Sequence, residues 1–408
     1  YRKKNDIKKR PIKYRNDSPL RTADIRISHS WHGLLVNQKS GYMVGREPII
    51  DVKDKELNKK IINTLGDEWG KTLRDLVVNA SNKAIAWLHY WIEDKNFQYG
   101  IVPSEQIIPI YSNDLKHRLT AVIRKYRNED ENNNKYITYE YWTDKECFYF
   151  KRFGSVFTTL DCVKTNNIVS NSFIHSFGKV PFVYFNNNSI LEGDLYMYKD
   201  LIDQFDNVTS GFANDIEDVQ EIVFILKGYG GEDLEEFMKD LKDFKAVKTD
   251  DNGDVKTIKA EIPVEAREKF LQDIKKSIFL FGMGVNPDND KLGDTSGVAL
   301  KFLYSLLEIK ATATISEFEC SIKVLVRAIL DFLNQNKHQD ISITFNKTMI
   351  TNDKETVDII SKSDGVISNK TKTKYHPYTD NLDEELEAIS NEENDKDFDE
   401  RFGADPIE

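Results

Sequence analysis

Apolar positions recur at intervals of three, four and seven through residues 298–337, a stretch without Pro or Gly. One stripe reads Leu303, Leu307, Ala311, Phe318, Ile322, Leu325, Ile329 and Phe332. That period predicts an α-helix, a rod roughly 60 Å long at the helical rise. A second stripe, Phe302, Leu306, Ile309, Ala313, Cys320 and Val324, marks another face. A helix with two apolar faces needs cover on two sides. Two arrangements supply it: a helix packed between neighbours in a repeating assembly, or a coiled-coil or central core helix. Upstream, the Gly- and Asp-rich residues 282–297 predict a loop.

Elsewhere the chain switches between helical and strand periods. In residues 26–48, Trp31, Leu34, Leu35 and Gln38 share one helical face; Gly41 and Gly45 stop or bend the element, and Pro48 ends it before a strand at 49–52. Residues 54–86 read as two helices, the second presenting Trp69, Leu73, Leu76, Val77 and Ala80. From Ile85 the period becomes two, with strands at 85–92 and 97–102 flanking the turn Glu93-Asp-Lys-Asn96. An extended, Pro-bounded segment covers 103–111, and further strands are predicted at 119–127, 135–142, 147–153 and 181–185. The pattern is α+β with an antiparallel sheet.

Residues 194–223 return to helix. One face is apolar (Leu201, Phe205, Val208, Phe212, Ile216, Val219, Val223); the other is acidic and amide-rich (Asp203, Asn207, Ser210, Asn214, Glu217, Glu221). A solvated outer face explains that polar strip as well as a functional surface does. A small insertion at 228–254, with a helix at 234–241 and strands at 245–249 and 255–259, precedes another helix over 265–281. That helix carries Ala266, Phe270, Ile274, Ile278 and Phe281 on one face. After residue 337 come a strand at 341–345, a helix at 353–361 and a helix start at 366–371. The tail from Thr379 is acidic and expected to be solvated or disordered beyond Glu393.

Composition narrows the function classes. Hydrophobic residues at 39% and aromatics at 11% predict a folded chain, and no apolar run reaches the 18 residues a membrane span needs. The chain opens at Tyr1 without Met, so residues are expected before it. The net charge of −11 argues against tight wrapping of nucleic acid through its phosphates, but not against letting DNA pass without gripping it. The first 15 residues are basic, with Arg2, Lys3, Lys4, Lys8, Lys9, Arg10 and Lys13, and read as a nucleic-acid arm or a solvated extension. Cys147, Cys162 and Cys320 match no metal or redox spacing and are expected to be reduced core residues.

The search for chemistry finds no catalytic set. Gly66-Asp-Glu-Trp-Gly-Lys-Thr72 has one residue too few between its glycines for a phosphate loop, and a helix where the motif needs a strand. His29 and His32 could share a helical face, but no third ligand lies nearby in the sequence. No Ser–His–Asp order or His-Glu-x-x-His occurs, and no metal or cofactor is called for.

Five strings in order resemble the portal proteins of tailed bacteriophages, in the siphophage branch. They are His29-Ser-Trp-His-Gly-Leu-Leu-Val-Asn-Gln-Lys-Ser-Gly-Tyr-Met-Val-Gly45, Ala80-Ser-Asn82, Pro103-Ser-Glu-Gln-Ile-Ile-Pro-Ile-Tyr111, Phe212-Ala-Asn-Asp-Ile-Glu-Asp218 and Ser296-Gly-Val-Ala-Leu-Lys301. Ser30 departs from the pattern, where Asn would be expected. The resemblance implies a portal fold: a basic extension at 1–25, an α+β wing at 26–193, stem helices at 194–223 and 263–281, and a small α/β clip at 224–262. It further implies a tunnel loop at 282–296, a long helix with a wing strand at 297–349, and a helical crown with an acidic tail at 350–408. By the same analogy this is no enzyme but a virion component made in the host bacterial cytoplasm, a ring of about 12 subunits, or 13 in isolation. Double-stranded DNA would pass through it during packaging and ejection. Its implied partners are the terminase large subunit, scaffold and major capsid proteins, and a head-completion adaptor, with no membrane. DNA-channel residues would come from the tunnel loop (Asn286, Asp288, Asn289, Asp290, Lys291, Asp294) and the stem (Asp203, Glu217, Glu221). Lys291 is also readable as an ordinary loop lysine. The alternatives are a nucleic-acid-processing enzyme with an unrecognised site, or another structural virion component.

Overall fold

The computed structural model describes residues 4–11, 23–165, 168–219, 223–227, 254–258, 263–287, 297–336, 338–348, 353–379, 382 and 385–392. The first half runs α1 (Trp31–Val44), β1 (Ile49–Asp51), α2 (Lys55–Leu65), α3 (Trp69–Lys83), β2 (Ile85–Glu93), β3 (Asn96–Val102) and β4 (Ile107–Tyr111). Next come β5 (Leu119–Glu129), β6 (Lys135–Trp142), β7 (Glu146–Phe153), β8 (Val156–Thr159), β9 (Val163–Thr165), β10 (Ile168–Ser170), β11 (Ser172–Ile174) and β12 (Phe182–Asn186). The second half holds α4 (Lys199–Val219), β13 (Val223–Lys227), β14 (Asp254–Ile258), α5 (Val264–Phe281), α6 (Gly297–Phe332), β15 (Ser342–Thr344), α7 (Asp353–Lys362) and α8 (Asn369–Tyr375).

Two antiparallel sheets carry the first half. One has the order β12–β2–β3; the other runs β11–β7–β6–β5–β4, with β8 added to β7. The β2–β3 hairpin closes Glu93 against Asn96 through Asp94 and Lys95, both at positive φ, the conformation that matches strand twist in a two-residue turn. Trp87, Val102, Val122, Trp142 and Phe182 form a core between the sheets. Far along the chain, β15 returns to pair with β1, setting Ile343 beside Ile50.

The long helix is the spine of the larger core. Leu307, Ala311, Ile315, Phe318, Ile322, Leu325 and Ile329 are all buried, each at 6% exposure or less. Phe318 meets Phe185 of β12 with ring centroids 5.0 Å apart. Each of the leucine, isoleucine and phenylalanine side chains contributes roughly 1.5–3 kcal/mol through removal from water. The second stripe has no such cover: Phe302 is 81% exposed, Ile309 60% and Val324 41%. The helix ends at Phe332, short of the predicted 337, because Asn334 adopts a left-handed φ of 54°. The Gln335 amide then donates back to the Leu330 carbonyl and the Asn334 amide to Asp331, a helix stop with Asn in the usual glycine place.

Other expectations are corrected in detail. α1 runs through Gly41, and its buried face is Leu35, Val36, Lys39 and Met43, leaving Leu34 exposed. Of the α5 face, only Ile274 and Ile278 are buried; Phe279 joins them, while Ala266, Phe270 and Phe281 stay exposed. Val223 begins a strand rather than ending a helix, and that strand pairs with β14. The predicted helix at 234–241 and strand at 245–249 lie outside the described residues, as does the tail from 393. Cys147 is a core residue, but Cys162 and Cys320 are exposed.

Candidate functional site

α4 is held by its polar residues more than by its apolar ones. Among its described positions Asp206 and Ser210 are the most buried together with Ile202, while Ile216 of the predicted apolar stripe is 47% exposed. The reason is an extended segment lying antiparallel along the helix. The Ile25 amide donates to Asn214 Oδ1 (2.6 Å), the Ile27 amide to Ser210 Oγ (3.0 Å) and the His29 amide to Asp206 Oδ1 (3.0 Å). Helix positions four apart share a face, and alternate amides of an extended chain point one way, so two simple periods meet. Asp206 also takes His29 Nδ1 at 2.8 Å and Asn5 Nδ2 at 2.5 Å. A fully buried carboxylate survives only with several donors.

The N-terminal residues 4–11 complete this belt. Ile7 is buried, and Lys199 joins Asp6 to Asp203. Hydrogen bonds to Lys199 and Lys9 hold the Asp6 carboxyl down at about 2. Arg26 ties the belt shut by donating to the carbonyls of Arg10 (2.7 Å) and Pro11 (3.1 Å) and to Asp24. This part of the basic terminus is therefore docked on its own chain.

A second polar cluster lies where α1, α4, α5 and α6 converge. Lys39 and Lys310, both buried, face one buried carboxylate, Asp194, at 3.4 and 2.9 Å. Lys39 Nζ also reaches Asn187 Oδ1 (2.6 Å), and Lys310 Nζ donates to the Gly282 carbonyl (3.0 Å). Burial lowers the Lys39 ammonium to about 8. Burial pushes the Asp194 carboxyl up, but the two lysine charges and Asn187 outweigh it and hold it below the usual carboxylate range. Beside the cluster, Trp31 wedges between Phe205 and Phe279 at 5.3 and 5.7 Å, edge to face with both.

The segment after α5 is gripped by α1. Gln38 donates to the Val285 carbonyl (2.8 Å) and accepts from its amide (3.1 Å). Leu35 packs so closely that a Cβ at Gly282 would sit 2.5 Å, and at Gly284 2.2 Å, from its methyls. Between these glycines Met283 has a φ of 50°. Gly284 N donates to Phe279 O and Met283 N to Leu280 O, so a non-glycine residue occupies the left-handed position of the helix stop.

Of the stem residues named from sequence, Asp203 is ion-paired with Lys199 and Glu217 is exposed two residues beyond Asp215, which Arg267 of α5 holds at 2.5 Å. Asp203 and Glu217 lie about 21 Å apart along one helix. Glu221 lies outside the described residues, as do Asp288, Asn289, Asp290, Lys291 and Asp294; Asn286 follows the gripped Val285. Ser210 and Asn214, read from sequence as part of the same polar strip, are belt anchors. Asp206 was missed, although its spacing of four from Ser210 was a visible signal. Lys310 was also missed, although it falls inside the apolar seam between Leu307 and Ala311.

His32 and His89 are held by structural contacts. His32 Nε2 donates to Asn82 Oδ1, and its Nδ1 accepts from Tyr198 OH, both at 2.8 Å; the tautomer follows because Asn82 Nδ2 already donates to Val78 O. Burial lowers His32 to about 4. His89 bonds the Pro181 carbonyl between stacked rings and is likewise lowered by burial. Among the described residues no cluster of His, Cys, Asp or Glu could hold a metal, and no helix is long and apolar enough to cross a membrane.

Comparison with known proteins agrees with the five-string resemblance. A sequence model of the family described as phage portal protein, SPP1 Gp6-like, matches residues 1–397. The chain is 41% identical over 406 residues to a portal protein of Clostridium phage phiCD119, covering 94% of this chain and 89% of that protein. It is 29% identical over 414 residues to a portal protein of Bacillus phage SPP1, covering 97% and 82%. In fold it is similar to a chain from the neck of a native gene transfer agent particle computed with C12 symmetry, at TM-score 0.54 and 9% identity, over 86% of this chain and 90% of that one. A chain from the neck of an empty particle computed with C6 symmetry gives TM-score 0.52 at 10% identity, over 85% and 89%. With the match running over nearly its whole length, this chain belongs to the SPP1 Gp6-like phage portal protein family.

Proposed function

We propose that copies of this chain close into a ring of about 12 subunits at one capsid vertex, through which double-stranded DNA is packaged and later ejected. The observation that carries the reading is the two-faced long helix: one apolar stripe is buried in its own chain, and the other, with Phe302, Ile309 and Val324, is exposed. A heterologous contact repeated around an axis covers such a face in every copy and closes as a ring. The C12 neck of the gene transfer agent particle, which shares the fold, supports the same symmetry.

The charge supports a channel of low friction. A basic lining would exchange counterions for phosphates and hold the duplex, whereas a carboxylate such as Glu217 repels it. Lys291, flanked in sequence by Asp288, Asp290 and Asp294, offers a reversible contact. The protein is in this reading a passive conduit and not an enzyme, made in the bacterial cytoplasm and built into the virion. The terminase large subunit, the scaffold and major capsid proteins, and an adaptor dock on it.

The test is the mass of the purified protein with particle images of the same sample. A particle twelve or thirteen times 47.3 kDa with a central hole is expected. A monomer at every salt and protein concentration, even with scaffold added, would sink the ring. Lys291→Ala should then lower DNA retention, and unchanged packaging would remove that cation from the mechanism.

A further inference from the structure

We propose that the turn 282–285 is a coupling joint that makes the α4–α5 pair and α6 move as one body. Four observations meet there. Lys310 of α6 holds both Asp194, just ahead of α4, and the Gly282 carbonyl at the end of α5. Gln38 of α1 grips Val285 by both its backbone groups. Leu35 fills the space that side chains at 282 and 284 would need. Met283, locked between them, keeps a left-handed φ that L side chains avoid.

A strained residue persists only where its surroundings over-determine it, and here a buried ammonium, an amide clamp and a leucine all do so. Lys310 cannot release the Gly282 carbonyl cheaply, because its charge is buried and Asp194 holds the same ammonium in place. A displacement of α4 and α5 is therefore delivered to α6 and to the start of residues 286–296, the segment assigned to DNA contact. That consequence rests on the channel reading; the mechanical coupling does not.

Hydrogen exchange of the full-length assembled protein tests the joint. Lys310→Met and Gln38→Ala should each speed exchange in peptides spanning 280–287 by roughly fivefold to tenfold, the loss of about one hydrogen bond's worth of protection. Met283→Gly, which removes the strain, should slow it. Peptides from α3 and β2 should not change. The same variants, assembled to wild-type mass, should yield fewer DNA-filled particles for Lys310→Met and Gln38→Ala. Faster exchange spread through α3 and β2 would mean that Lys310 is only core packing, and Gln38→Ala, outside that core, repeats the test if Lys310→Met fails to fold. Local loosening with wild-type DNA yield would overturn the coupling to the channel. Local loosening in the variants, with a wild-type protein that neither forms rings nor passes DNA, would uphold the joint and reject the channel reading.

Discussion

α6 and α5 carry similar apolar repeats and meet opposite fates. On α6 the repeat from Leu307 to Ile329 is closed off by α2, β12 and their neighbours. On α5 the repeat is half open, with Phe270 46% and Phe281 52% exposed, and its partner α4 is fastened by an amide-and-carboxylate belt. The contrast separates a repeat sealed by its own chain from one held by polar fastening with part of its apolar face left open. An apolar period predicts a helix in both cases, but only the surroundings decide which stripe is core.

Four experiments break or sharpen this contrast. Phe318→Ala should cost about 3–5 kcal/mol in chemical denaturation, as a cavity in the self-contained core. A loss under 1 kcal/mol would erase the distinction. Asp206→Ala should cost about 1–3 kcal/mol, because it removes a fully buried acceptor from the half-buried donors of Asn5 and His29. An effect on α4 no larger than that of an exposed residue would show that the belt is not its fastening.

His32 stands at the border of the two regions, and acid should open that border. The unfolded chain takes its proton near 6.5, the folded chain only at about 4. The stability is thus complete above pH 6.5 and is lost as pH falls toward 4, by roughly 2 kcal/mol after allowance for relaxation. His32→Gln should flatten that limb, and an unchanged slope would assign it elsewhere. The smallest effect on the folded chain should come from Phe302→Ser with Phe270→Ser, within about 0.5 kcal/mol for surface positions. The same pair should abolish the ring; a ring of unchanged mass would show that these faces are not contacts.

What the sequence made legible was whatever depended on period and on turn chemistry. The β2–β3 hairpin, the strands from β5 to β7 and the two apolar stripes of α6 follow from spacing alone; which stripe is buried does not. The stop at Asn334 was hidden because Asn signals a left-handed turn only when tertiary packing leaves the chain no helical continuation. The belt was misread because a polar strip looks the same whether it faces water or a backbone. Lys39 and Lys310 escaped for a related reason: a lysine in an apolar seam is an anomaly until its carboxylate, more than a hundred residues away, is placed beside it. The DNA-contact residues at 288–294 rest on resemblance and on the proposal above.

The belt on α4 works as a vernier. Four residues of helix advance about 6.0 Å, and two residues of extended chain about 6.6 Å. Over the two steps from Asp206 to Asn214 the scales drift apart by only about 1.2 Å, which side-chain rotation absorbs. At residues 25 and 27 the grip reads backbone, since Asn214 and Ser210 bond both the amides and the carbonyls there. Residues 25 and 27 should therefore accept other non-proline side chains, whereas a proline at either position removes a rung, and inserting one residue between them shifts every amide past its mark.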